Sequence, residues 1–171
     1  MTKTRLHDLL IRPKQAADTA LIQTFMAERW GGEPLIIDCQ CYYPSTLPGL
    51  LVFQGPALIG CLIYEVQHAA REIIVLEVTK KQLGIGTELL QIFLRDAAEA
   101  GCQRVHLMTT NDNLDALRFY QRRGFSLSGI RVGACTAGRQ LKPSIPEIGD
   151  HGIPIRDEVL LEMVLPAKST A

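Results

Sequence analysis

Ile73-Ile74-Val75-Leu76-Glu77-Val78 runs through Thr79-Lys80-Lys81-Gln82 into Leu83-Gly84-Ile85-Gly86. Four of the first six residues are β-branched, and the stretch is nearly continuous in hydrophobicity. That pattern predicts a central strand buried on both faces. Beyond the glycines, Leu89, Leu90, Phe93, Leu94, Ala97 and Ala98 share one face of a helix that Gly101 stops. A strand that enters Gly84-x-Gly86 and then a helix has a physical use. The first helical turn carries free backbone N–H groups and a partial positive charge. Glycines let the chain turn tightly and bring those groups near an anion. A phosphate or pyrophosphate fits, with Lys80 and Lys81 beside it; a plain strand-to-helix turn fits the same spacing. The dinucleotide fingerprint G-x-G-x-x-G is broken by Leu89, and no P-loop G-K-[ST] follows.

The flanks supply the other elements. Leu9 to Arg12 reads as a strand stopped by Pro13. Leu21, Ile22, Phe25, Met26 and Trp30 recur at helical spacing from about Asp18 to Trp30, and Gly31-Gly32 ends that helix. Residues 33–49 hold three prolines and read as a long connection with one short strand. Gly49 to Phe53 and Ala57 to Val66, split by Gln54-Gly55-Pro56, read as a hairpin. Val105 to Thr110 reads as a strand, Asn113 to Arg123 as a helix ended by Gly124, and Phe125 to Val132 as a strand. Residues 133–157 read as irregular, and Val159 to Leu165 as the last strand. Strands and helices mixed in this order predict one α+β or α/β domain with a central sheet over all 171 residues.

Bulk composition narrows the function classes. Eighteen basic residues balance eighteen acidic ones, so no global field attracts nucleic acid, and no nucleic-acid partner is expected. The five cysteines (Cys39, Cys41, Cys61, Cys102, Cys135) form no C-x-x-C pair, and the four histidines are scattered, so no metal site is expected. An odd, unframed set of cysteines fits a reducing compartment. No run approaches the ~20 apolar residues of a membrane span. The chain reads as cytoplasmic, with no membrane partner.

A second segment chooses among ligands: Thr109-Thr110-Asn111-Asp112-Asn113-Leu114-Asp115-Ala116-Leu117-Arg118-Phe119-Tyr120-Gln121-Arg122-Arg123-Gly124-Phe125. Read with the glycine turn, it resembles the GNAT superfamily of acyl-CoA N-acyltransferases. Members show [RQ]-x-x-G-x-[GA] after a strand and, further on, N-x-x-A-x-x-x-Y-x-x-x-G-F. Asn113, Ala116, Tyr120, Gly124 and Phe125 meet the second pattern in full. Gly84 and Gly86 meet the first, with Lys81 where Arg or Gln is usual. The resemblance covers about residues 73–125. The later segments around Lys142-Pro143-Ser144-Ile145-Pro146 and Gly152-Ile153-Pro154 look like those of uncharacterised bacterial members.

The resemblance implies a mixed, mostly antiparallel sheet with helices on both faces. It implies acetyl-CoA as co-substrate and an amine acceptor, either a small molecule or a peptide, acetylated by direct transfer. Backbone groups of Gln82, Leu83, Gly84, Ile85, Gly86 and Thr87 would hold the pyrophosphate. The strand end near Leu76 and Val78 would pair with the pantetheine arm, and Asn113 would offer it an amide. Tyr120, two helical turns after Asn113, shares its face and would protonate the departing thiolate. Each has a plainer reading too: Asn113 as a helix cap and Tyr120 as a core aromatic. Arg118, Arg122 and Arg123 read as a solvated helix face, or one of them as a ligand of the CoA phosphates. Glu77, a carboxylate in an apolar strand, is a candidate general base or else a salt-bridge partner. Glu158, His106 and His151 are weaker candidates for the base. Regions 30–48 and 133–157 are expected to line the acceptor pocket. Dimerisation is common in that superfamily, so a homodimer is an accompanying expectation. The alternative is a sensor or interaction module that binds CoA or a nucleotide without turnover.

Overall fold

The computed structural model describes residues 9–79 and 84–166. Its elements are β1 (Leu10–Pro13), α1 (Thr19–Trp30), β2 (Leu35–Ile37), β3 (Gln40–Tyr42), β4 (Gly49–Gln54), β5 (Ala57–Gln67) and β6 (Ala70–Val78). There follow α2 (Ile85–Glu99), β7 (Arg104–Thr110), α3 (Leu114–Gln121), β8 (Ser126–Arg131), α4 (Ala134–Gly138) and β9 (Glu158–Val164). Seven strands form one sheet in the order β1-β4-β5-β6-β7-β9-β8. Its neighbours are antiparallel except β6 and β7, which run parallel. The expected α+β sandwich is the observed one.

The two faces carry separate cores. α1 lays Ile22, Phe25 and Met26 on one face, against Ile63 and Val75. α2 lays Leu89, Leu90, Phe93 and Ala97 on the other, with Tyr120 of α3. Leu89, Leu90 and Phe93 are at most 1% exposed, and burying each is worth about 1.5–3 kcal/mol. That exceeds the ~1 kcal/mol a side-chain cap would add, so α2 forms although its N-cap, Gly84, supplies none.

Two local features differ from the sequence reading. The connection 33–49 holds two strands, β2 and β3, paired to each other rather than one alone. Their turn uses Asp38 and Cys39 at φ of 46° and 59°, so the Asn-Gly signature of such hairpins is missing. The segment 133–157 contains the short helix α4, which is too brief to show a helical period.

β6 carries the feature that opens the site. Ile63 pairs with Val75 and Tyr64 with Ile73, which leaves Ile74 as an extra residue, a β-bulge. The parallel pairing of β6 with β7 ends at Ile73 and Leu107. β7 stays paired with β9 as far as Thr110 and Glu158. The stretch Ile74–Val78 keeps β5 on one side and, among the described residues, has no strand on the other. The sheet therefore opens as a wedge between the ends of β6 and β7.

Candidate active site

The wedge leads into a cavity of about 360 Å³ on the α1 face. Ile74, Met108 and Thr109 line it from the sheet, Trp30 and Ile36 from the 30–37 stretch, and Ile145 from the 133–157 stretch. Both regions expected to line an acceptor pocket contribute to the wall of this cavity. The second one crosses the cavity as a strap. Lys142 Nζ donates to the carbonyls of Trp30, Gly32 and Pro34 at 3.1, 2.5 and 3.0 Å. Burial lowers the ammonium's pKa, as expected for a cation solvated by carbonyls instead of water. Arg139 ties the strap to itself through the carbonyls of Ile145, Pro146 and Ile155.

The strap's far end is fastened to the loop after β7. Asn111 Oδ1 accepts from the backbone N–H of Arg156 and of Asp157, both at 2.9 Å, and its Nδ2 donates to Pro154. Asp112 Oδ2 accepts from Asp150 N at 2.9 Å. Asp157 Oδ1 accepts from Gly133 N at 2.8 Å, the main reason its carboxyl lies below the usual range. Sequence reasoning did not single out Asn111, Asp112 or Lys142; none sits in a motif, and their partners lie 38 to 112 residues away.

The residues expected to hold the cofactor divide into three groups. Leu76 and Val78 occupy the open edge of β6, with side chains packed towards the α2 core. Gly84 is the left-handed N-cap of α2 at φ 77°, and the first helical bond, Glu88 N to Gly84 O, leaves the N–H groups of Ile85, Gly86 and Thr87 outside the helical ladder. Gln82 and Leu83, like Lys80 and Lys81, lie outside the described residues. Asn113 lines the cavity and also caps α3, its Oδ1 accepting from Ala116 N at 3.0 Å.

Arg123 departs from the expected solvated helix face. Arg118 is exposed and paired with Asp115. Arg123 instead turns inward, stacks 3.6 Å over the Phe119 ring and donates through Nη2 to Thr87 Oγ1 at 2.5 Å. A cation therefore stands beside the first turn of α2, desolvated enough for its pKa to fall. Nothing in its local sequence separates it from Arg122; the contact spans 36 residues.

The acid–base candidates do not converge on one point. Tyr120 is 5% exposed and makes edge-on contacts with Phe119 and Phe125 at 5.1 and 5.2 Å. Burial pushes its phenol well above the ordinary value, so it stays protonated. Glu77 is on the α1 face, with Oε1 3.9 Å from Arg29 Nε and its side chain 26% exposed. It has the ion pair of the plainer reading, and it adjoins the cavity through Arg29 without lining it. Glu158, by contrast, lines the cavity and is 5% exposed. Desolvation raises its carboxyl above the usual range, partly offset by a 2.8 Å hydrogen bond that Oε2 accepts from Asp38 N.

Below it, His106 Nε2 lies 3.6 Å from Glu72 Oε2, while Nδ1 is buried without a partner among the described residues. His151 sits exposed in a turn at φ 59°. Cys135 lines the cavity, but burial pushes its thiol up to about 12, so it is no nucleophile near neutral pH.

Comparisons with known proteins agree with this geometry. The model of the acetyltransferase (GNAT) family matches residues 6–125. An uncharacterised Bacillus subtilis protein, YdhI, is 37% identical over 158 residues, which is 92% of this chain and 99% of that protein. Among solved structures, the IAA acetyltransferase of Bacillus cereus superposes with a TM-score of 0.73 at 23% identity, covering 92% of this chain and 99% of that one. A GNAT family acetyltransferase of Elizabethkingia anophelis with acetyl-CoA bound gives 0.66 at 21% identity, covering 92% and 99%. At these identities the solved structures speak for the fold.

Proposed function

The chain belongs to the acetyltransferase (GNAT) family, and we propose that it moves an acetyl group from acetyl-CoA directly to a primary amine of a small molecule or peptide. The observation that carries this reading is the wedge between β6 and β7, which joins an open strand edge to a cavity. The chain's own groups fit acetyl-CoA. The edge of Leu76–Val78 offers N–H and C=O groups with no strand opposite, suited to an extended amide-bearing arm. The first turn of α2 offers N–H groups to a pyrophosphate, and Arg123 adds a cation there.

Acetyl-CoA supplies a thioester, whose acetyl carbon an amine attacks and whose sulfur leaves. An ammonium nitrogen loses two protons on becoming an amide, so the site must dispose of both. Tyr120 delivers one to the leaving sulfur, since its buried phenol stays in the donating form. Glu77, partly exposed beside the cavity, passes the other to solvent through water. Asn113 orients the arm while capping α3. The bulge at Ile74 turns backbone polar groups into the wedge, where they polarise the acetyl carbonyl.

No described helix is long and apolar enough to cross a membrane. A homodimer and a cytoplasmic location remain part of the proposal. The test is thiol release from acetyl-CoA over a panel of amines, with mass spectrometry of the product. Amine-dependent release with an N-acetyl product supports the reading. Tight acetyl-CoA binding with no release under any amine would replace it with the sensor reading.

A further inference from the structure

The cavity wall is unlike one built for a polar acceptor. Leu35, Ile36, Ile37, Ile74, Met108 and Ile145 all line the cavity. Its volume, about 360 Å³, is near the lower end of the ~300–1,000 Å³ usual for small-molecule sites. The strap lines it and is pinned at Lys142. Its charged side chains are Arg29, Lys142 and Glu158. Arg29 is held by Glu77 and Lys142 by carbonyls, so both cations repel a second ammonium.

Glu158 is the acidic member of this lining. Among the described residues only its Oε2 carries a hydrogen bond, to Asp38 N, which leaves Oε1 for the cavity. A carboxylate 5% exposed, with one oxygen unpartnered at an apolar wall, needs a cation to complete it. We propose that the acceptor is a small primary amine on an apolar body, and that its ammonium docks on Glu158, which takes the first proton from the nitrogen. This rests on the acetyltransferase reading above. The freed lone pair forms the N–C bond as the C–S bond breaks. The second nitrogen proton matches the one gained by sulfur, and Glu158 returns its own to solvent.

Several groups face Glu158 and tune it. Asp38 comes from the β2–β3 turn, Glu72 from β6, Arg131 from β8 and Cys135 from α4, and Asp157 precedes it in the chain. Desolvation and the two acidic neighbours raise its carboxyl; Arg131 and the Asp38 N–H oppose them. A carboxylate held above its ordinary value is a better proton acceptor than a solvated one.

The experiment has two arms on the full chain. In the first, phenethylamine and isoamylamine are compared with spermidine, an aminoglycoside and an alanine dipeptide as acceptors. The apolar amines are expected to show kcat/KM at least ~50-fold higher, because a polar group brought against the apolar part of this wall loses water without gaining a partner. In the second, phenethylammonium binding is titrated calorimetrically with CoA present. Glu158→Gln keeps an acceptor for Asp38 N and should weaken that binding at least ~10-fold, as loss of a charge-assisted contact does. It should leave acetyl-CoA affinity unchanged and remove the acid limb of kcat/KM for the amine. Glu158→Asp should restore part of the binding. Binding that Glu158→Gln weakens, without thiol release from any amine, would keep the site and discard the acetyltransferase reading. Preference for spermidine, the aminoglycoside or the dipeptide would overturn the inference. So would absent phenethylammonium binding, or equal binding by wild type and Glu158→Gln.

Discussion

Replacing Tyr120 by Phe separates a catalytic phenol from a core aromatic, because the two roles predict opposite ledgers. The ring is 5% exposed, and its edge-on contacts with Phe119 and Phe125 survive in Phe. Burial, with the charge of Arg123 opposing it, dominates the surroundings of the hydroxyl. Removal of one oxygen from a ring whose packing is kept should leave stability within ~0.5 kcal/mol of wild type. For a chain this size that is a Tm change of about 1–2 °C. A positioned general acid contributes roughly 10²–10⁴ in rate, which corresponds to about 2.7–5.4 kcal/mol of barrier. Activity should thus fall by far more than stability. Urea melts give the stability, thiol release at saturating acetyl-CoA and amine gives kcat, and direct titration gives acetyl-CoA affinity. Because burial holds the phenol above its ordinary value of ~10, wild-type kcat should show no loss from its ionisation below about pH 10. A variant with kcat within twofold of wild type would leave Tyr120 as packing alone, and the proton donor would have to be sought elsewhere.

Four further outcomes follow from the same geometry. Gly84→Asp sets a carboxylate where the free N–H groups of α2 point; acetyl-CoA affinity should fall about 100-fold or more with little loss of stability, and unchanged affinity would remove the turn from the site. Lys142→Met strips the bonds to Trp30, Gly32 and Pro34; a cost of about 2 kcal/mol and a several-fold higher amine KM should appear while acetyl-CoA affinity holds, and an unaltered KM would detach the strap from the acceptor site. Glu77→Gln loses a half-exposed pair worth under ~1 kcal/mol, so its effect should lie in the pH–rate profile, and an identical profile would take it off the proton path. Asp18, clamped by Arg12 at 2.7 and 2.8 Å, is pulled down to about 2. A lowered carboxyl stabilises fully above its unfolded value of ~3.9 and loses that as pH falls. The stability gap between wild type and Asp18→Asn should be constant from pH 7 to 5 and close towards pH 2; a constant gap to pH 2 would contradict the clamp.

The sheet and its helices were legible because each is decided by neighbours in sequence. The period of Leu89, Leu90, Phe93 and Ala97 is the buried face of α2. The apolar run of β6 is a strand with β5 on one side and β7 along half of the other. Asn113 was legible as a cap because capping acts across three residues. Glu158 was visible only as one carboxylate near the last strand. Its burial depends on Asp38, 120 residues earlier, and on α4 closing over it. Arg123 could not be told from Arg118 and Arg122 because helical spacing does not report a partner on α2.

By itself the sequence determined what short-range chemistry controls: the strand–turn–helix at Gly84, the cap at Asn113, and the motif that marks the family. Tertiary structure decided what depends on distant segments meeting. The wedge exists because β9 keeps β7 while the bulge at Ile74 draws β6 aside. The cavity exists because Lys142 finds the end of α1. Local propensity has no term for such contacts; they form only when the buried faces of both cores have fixed where each strand lies.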